Sequence, residues 1–398
     1  MDAFFKSLRK IIFNPLVQLI CTMVICFCFY QNLSTDAVRF FLTISSGLRE
    51  ILVFVLPFLI FSFIAVALSA IPREGMFFVL GLMVVVSISN FMSIMVSGAV
   101  GFFLLSDSNS REMIDNGLNL MPFFKLNLPI LMDNSQALLA GVIVGFMNSF
   151  HPNKTVTLVV KTLQDWVLIF MKRFFIPSLP IFVAGFFLKL LAEGKLTGFV
   201  SQNPIVYVKI IGFLWLYLLI WLAVAASFKP KKMVEIFKNA FPAIVTAFST
   251  MSSAAALPLS LEAAEKNTKD KVLADAVMPL TVNFHMIGDT IMVPIMSLMV
   301  LLAFNHPLPS VSQFVMFGIF FVLNKFAGGG VPSGTIMVTI PILQNYFGYD
   351  DSMVAFIVAF YGVIDPIATS GSVAGNNFFV IVFKKIRDFL KKETVVMA

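Results

Sequence analysis

Residues 272–304 form an apolar run long enough to cross a membrane, yet its middle carries Asn283, His285, Gly288, Asp289 and Thr290 between Pro279 and Pro294. Ionisable groups at bilayer depth are costly, and they face a cavity or the protein interior. Glycine and proline let a helix break there, which opens backbone groups to a ligand. On either side lies an apolar stretch interrupted by small residues, STMSSAAALP (249–258) before it and AGGGVPSGT (327–335) after it. A broken membrane helix between two interrupted hydrophobic segments is the pattern of a transporter binding site.

The chain is 59% hydrophobic and only 12% charged, with a mean hydropathy of +0.94. Soluble domains are about 25% charged, so the composition is that of an all-α integral membrane protein. The net charge of +7 lies in loops, where positive-inside topology explains it without nucleic acid. Cys21, Cys26 and Cys28 share one apolar run, which offers no disulfide framework and no zinc motif. No metal-ligand set, nucleophile–base pair or nucleotide loop stands out, so neither an enzyme nor a cofactor is expected. The basic segment 1–10 precedes a run of spanning length, which argues against a cleavable signal peptide.

Apolar runs at 11–30, 51–71, 76–105, 128–150, 156–191 and 200–228 each reach the roughly 20 residues a span needs. The run 156–191 is unusually long and holds Lys172, Arg173, Pro177 and Pro180, so it should tilt or bend. After a basic loop at 229–238, residues 233–261 read as two short helices about a small-residue tip, each about 12–15 residues and too short to span. A re-entrant hairpin fits them. The broken span 272–304 follows, then a second hairpin pattern at 311–347, then 353–383, interrupted by Asp365-Pro366 and TSGSVAGNN (369–377). Hairpin plus broken span therefore occurs twice, in opposite orientation, and inverted repeats place the solute where their halves meet. With both termini cytoplasmic, nearly every basic loop falls inside.

The segments TAFSTMSSAAALPLSLEAAEKN, MPL…HMIGDT, GGGVPSGTIM and ID…TSGS…GNN together resemble the dicarboxylate/amino acid:cation symporter (glutamate transporter) family. The resemblance is specific over the C-terminal third and weaker before it, and it is that of a divergent bacterial member. It implies eight transmembrane helices, two re-entrant hairpins, a homotrimer in the cell's inner membrane and an elevator mechanism. The scaffold would comprise residues 1–75 (spans 1 and 2) and 126–196 (spans 4 and 5). The transport domain would comprise 76–105 (span 3) and 197–398 (span 6, first hairpin, broken span 7, second hairpin and span 8).

The resemblance also implies where a solute sits. Ser252 and Ser253 match the serine-rich tip that holds the main carboxylate in relatives; hydroxyls and amides at a half-helix N-terminus suit an anion. The alternative is that the serines only let two helix arms pack closely. Gly330, Val331 and Pro332 match the tip of the second hairpin, where glycine lets backbone approach a ligand and hinge. Asn376 matches the carboxylate-binding asparagine, and Asp365 is retained. Thr369 and Ser372 stand where relatives carry an aspartate for the amine and an arginine for an acidic side chain. The missing arginine argues against glutamate or aspartate; the amine acceptor is then Asp289 or Asp365, or the solute has no amine.

Departures concentrate at the ion sites. The sodium-binding asparagine and aspartate of relatives align with His285 and Ile287, and Asp289 replaces a threonine. His285 and Asp289 would share one face at i and i+4 if that stretch were helical, forming a pair able to carry a proton; a purely structural pair is the alternative. Lys325 falls where backbone carbonyls help bind sodium in relatives. Its ammonium would either sit where sodium would, or snorkel to the outer interface. Taken together, the expectation is a secondary transporter of a small carboxylate-bearing solute such as an amino acid or organic acid. Its sodium sites would be largely lost, with a proton favoured as coupling ion or exchange in its place. An anion or ion channel lined by the same hairpins remains open.

Overall fold

The computed structural model describes residues 15–69, 76–106, 120–126, 128–129, 131–132, 134–193, 204–328 and 334–397, and no strand occurs among them. The first helices are α1 (Pro15–Phe29), α2 (Thr35–Ser69), α3 (Met76–Ser106), α4 (Asn134–Phe150), α5 (Lys154–Phe170) and α6 (Ile176–Ala192). The π-helical turn Met171–Phe175 joins α5 to α6, and the two bend by 56°. This is the bend expected of the over-long run, and Pro180 lies within α6. Then come α7 (Pro204–Ala225), α8 (Pro230–Thr250), α9 (Ser253–Thr268), α10 (Lys271–Phe284), α11 (Ile287–Ala303), α12 (Val311–Gly328), α13 (Gly334–Phe347) and α14 (Asp351–Met397).

Among the described residues, four helices are long and apolar enough to cross a membrane: Phe78–Leu105, Val208–Ala225, Lys271–Ala303 and Phe360–Phe389. The bent α5–α6 pair makes a fifth if taken as one span. The molecule is a multi-pass, all-helical membrane protein. Its spans differ sharply in burial. Within their most apolar windows, 89% of Lys271–Ala303 is buried against 28% of Val208–Ala225, so α10–α11 forms the centre and α7 faces outward with Leu216, Leu219 and Ile220 exposed.

Helices α1, α2, α4, α5 and α6 pack largely on one another, whereas α11 and α14 collect α3, α7, α8, α9 and α10 around them. Polar links join the two groups: Arg49 of α2 pairs with Asp351 of α14 at 2.8 Å, and Lys189 of α6 reaches Ser352 at 3.0 Å.

Two helical hairpins stand where the sequence places them, α8 against α9 and α12 against α13. Met251, in the left-handed region at φ 50°, turns the first; the Ser252 hydroxyl then caps α9 by accepting from Ala255 N–H. The arms of the first hairpin, 21 and 16 residues, exceed the expected length. At 1.5 Å per residue α8 reaches about 30 Å, so length alone does not keep it from spanning. By composition it is not among the helices apolar enough to cross: Lys231, Lys232, Glu235 and Lys238 crowd its first half.

The last helix differs from expectation. Asp365-Pro366 and TSGSVAGNN were expected to interrupt it, yet α14 runs 47 residues with Pro366 inside. Proline removes one helical hydrogen bond, but this segment is buried on all sides, and tertiary packing overrides local preference. Beyond the core, its basic tail caps other helices. Lys384 donates to the Thr268 carbonyl ending α9, and Lys385 to the Val224 carbonyl ending α7. Arg387 pairs with Asp270, the N-cap of α10, at 2.9 Å.

Candidate functional site

The site is organised by the break between α10 and α11. His285 (φ −96°, ψ 88°) ends α10 and Met286 (φ −113°, ψ 66°) begins α11, so both leave helical geometry. A broken helix exposes orphan carbonyls on one side and orphan amides on the other. Neighbouring helices satisfy them here. Asn90 Nδ2 of α3 donates to the Phe284 carbonyl at 2.7 Å. On the other side, Ser372 Oγ of α14 accepts from Gly288 N–H at 3.1 Å. Gly288 itself is required by contact: a Cβ there would strike the carbonyl oxygen of Ala368.

His285 is fully buried and bridges three elements. Its Nδ1 lies 2.9 Å from Asn376 Oδ1 of α14 and its Nε2 2.9 Å from the Ser89 hydroxyl of α3. Because Asn376 Oδ1 only accepts, Nδ1 carries the hydrogen, while Nε2 faces a Ser89 hydroxyl that can donate or accept. The ring leans on Phe379 at a centroid distance of 4.4 Å. Asn376 Nδ2, Asn90 Oδ1 and Asn377 Oδ1 are buried here without a hydrogen-bond partner.

Asp289, in the first turn of α11, belongs to a different cluster. Its Oδ1 accepts from the Tyr361 hydroxyl of α14 at 2.7 Å. Its Oδ2 accepts from Lys325 Nζ of α12 at 3.0 Å and from Thr335 Oγ1 of α13 at 2.7 Å. Lys325 also reaches Thr335 Oγ1 at 3.3 Å and lies 4.5 Å from the Phe321 ring centroid. Asp365 lies on α14 one turn beyond Tyr361, and its Oδ1 accepts from Thr369 at 2.8 Å. Lys325 is 1% exposed and Asp289 5%.

These contacts sort the expected residues. His285 and Asp289 do not pair, because the chain leaves the helix between them and the i, i+4 geometry is lost. Lys325 does not snorkel; of its two readings, the inward ammonium is the one observed. Ser372 spends its hydroxyl on capping α11, and Thr369 on orienting Asp365. Asp289 accepts from three donors, one of them the Lys325 ammonium, so its charge is already balanced within the protein. Ser252 and Ser253 stand at the N-terminus of α9, with Ser253 buried; Ser252 contacts its own hairpin. Gly330, Val331 and Pro332 lie outside the described residues, as does the side chain of Asn283.

Sequence reasoning missed the contribution of α3. Ser89, Asn90, Ser93 and Ser97 all face the break: Ser93 and Thr290 hydroxyls meet at 2.6 Å, and Ser97 donates to the Ile291 carbonyl at 2.6 Å. The signal was available, since serines four apart in an otherwise apolar run mark one helix face for interhelical bonding. Tyr361 and Thr335 carry no such local signal; only their approach to Asp289 reveals them.

Comparison with known proteins follows the same lines. A family model described as the sodium:dicarboxylate symporter family matches residues 12–386. A putative sodium-dependent excitatory amino acid transporter, glt-3, of Caenorhabditis elegans is 29% identical over 137 residues, 34% of this chain and 25% of that protein. Another from the same organism, glt-4, is 26% identical over 152 residues, 38% of this chain and 30% of that protein. The serine/threonine transporter SstT of Acinetobacter baumannii is 24% identical over 161 residues, 40% of this chain and 39% of that protein. The matched stretch thus spans well under half the length of each relative. With the family model covering nearly the whole sequence, the chain belongs to the sodium:dicarboxylate symporter family.

Proposed function

We propose that the protein is a secondary transporter of a small carboxylate-bearing solute, an amino acid or organic acid, coupled to protons or working by exchange rather than driven by sodium. The observation that carries this reading is the buried polar centre at the α10–α11 break, where Asn376 Nδ2 remains an unpartnered donor beside His285. A buried donor without an acceptor is costly, and a solute carboxylate oxygen supplies one. Ser252 and Ser253 at the α9 N-terminus add hydroxyls and amides suited to the same anion. Asp365, held by Thr369, is the carboxylate we assign to a solute amine.

His285 is the proton-coupling group in this reading. Its Nε2 is the position that takes up the proton, and the Ser89 hydroxyl beside it can serve either the bare or the protonated nitrogen by rotating. No neighbouring backbone has to move. The hairpins α8–α9 and α12–α13 act as re-entrant gates. The group α1, α2, α4–α6 serves as the scaffold of a trimer, against which the remainder shifts across the inner membrane with both termini cytoplasmic.

The test is uptake into proteoliposomes across a panel of neutral amino acids, dicarboxylates and monocarboxylates, with proton and sodium gradients imposed separately. Saturable uptake driven by an inward proton gradient and indifferent to sodium is expected. Sodium-driven uptake of aspartate or glutamate would overturn the assignment, and conductance without saturation would favour a channel.

A further inference from the structure

The family's description names sodium, whereas the buried cation observed here is a side chain. We infer that Lys325 is a built-in replacement for a monovalent coupling cation: its ammonium fastens both arms of the second hairpin onto α11, so that contact requires no ion from solution. The inference deepens the transporter reading and rests on it for its meaning in transport, though not for its test.

The surroundings of Nζ are those of a bound cation. The carboxylate Oδ2 of Asp289 lies at 3.0 Å and the Thr335 hydroxyl at 3.3 Å. The thioether of Met286 lies at 3.9 Å, and the face of Phe321 presents its negative quadrupole. These groups come from the first turn of α11 and from both arms of the hairpin, α12 and α13. Tyr361 adds α14 through the other carboxylate oxygen. A single positive charge thereby gathers four helices. Without it, Asp289 would be a buried anion facing only neutral donors, and a buried charge without a partner is strongly destabilising.

Sodium does not fit these residues as they stand. Asp289 is the carboxylate that would balance it, and both its oxygens are engaged, one of them by a cation already. A second positive charge within a few ångströms of the ammonium in a low-dielectric interior would be repelled rather than bound. Removing the lysine side chain reverses that situation. The carboxylate and hydroxyl would remain, a space the size of the lost side chain would open, and a monovalent cation could enter to neutralise Asp289.

The experiment measures thermal unfolding of the purified full-length protein in detergent, titrating sodium chloride or methylammonium chloride against choline chloride at constant ionic strength. The wild-type protein should show no saturable difference between these salts. Lys325→Ala and Lys325→Ser should melt lower in choline and recover by several degrees, saturably, in sodium or methylammonium, as ligand binding to the native state requires. Adding Asp289→Asn to Lys325→Ala should abolish the recovery. Saturable sodium stabilisation of the wild-type protein would overturn the inference. So would variants that regain nothing, or stay unfolded, at every concentration of both cations. None of these readouts depends on transport, so a failed uptake assay would count against the proposed function and leave this inference standing.

Discussion

His285 and Asp289 stand four positions apart and bind in opposite directions: the imidazole is held by Ser89 and Asn376, the carboxylate by Lys325, Thr335 and Tyr361. The break at 285–286 is what separates them. It splits the polar content of one span into a hydrogen-bonded centre against α3 and α14, and an ion-paired centre against the second hairpin. The two centres should therefore fail independently when mutated, since sites without shared partners add in free energy.

For the charged centre, Asp289→Asn removes the carboxylate in contact with the buried Lys325 ammonium. Breaking one half of a buried pair costs about 3–5 kcal/mol, so a marked fall in melting temperature is expected. The double variant Asp289→Asn with Lys325→Met removes both charges and should recover most of that loss. A single variant as stable as the wild type would show that the pair contributes little.

For the centre around His285, His285→Phe keeps the ring packing on Phe379 but leaves the Ser89 hydroxyl and Asn376 Oδ1 without their partner. The expected cost is about 1–3 kcal/mol, with loss of proton-driven uptake and survival of solute exchange. If proton-driven uptake persists in a folded His285 variant, the coupling group lies elsewhere.

Gly288→Ala should be severe, because its Cβ would meet the backbone oxygen of Ala368 rather than a movable side chain. Gly81→Ala and Gly212→Ala place a methyl in open space on membrane-spanning helices and should be neutral or stabilising by about 0.5–1 kcal/mol. Thermal unfolding of the three variants side by side checks this; a Gly288 variant no worse than the controls would mean that α11 and α14 separate easily.

At the end of the bundle, Asp270 caps α10 and its carboxyl is held below its ordinary range by the Leu273 amide and then by the Arg387 guanidinium. A depressed carboxyl contributes stability above its unfolded pKa, near 4, and loses it as pH falls through the lower folded value. Hydrogen exchange at the start of α10 should therefore accelerate, after correction for intrinsic rates, only below about pH 4. Asp270→Asn should flatten that dependence. Arg387→Gln should weaken the clamp at neutral pH, modestly because the pair is partly solvated.

What the sequence by itself determined is local. Apolar length and sparse charge made the chain a helical membrane protein, and small-residue tips marked the two hairpins. Polar residues between prolines marked the break in 272–304, because an ordinary span cannot carry them at that depth. Residues 353–383 show the limit of such reasoning: Pro366 and the serine–glycine run imply interruption, but a helix enclosed on every side retains its form. Tertiary structure alone decided the pairings. Lys325 meets Asp289 across 36 positions and Tyr361 meets it across 72, separations at which no periodicity carries information. Whether a buried charge is a binding group or already satisfied depends on such distant partners, and here they turn Asp289 from a candidate solute ligand into the counter-ion of a lysine.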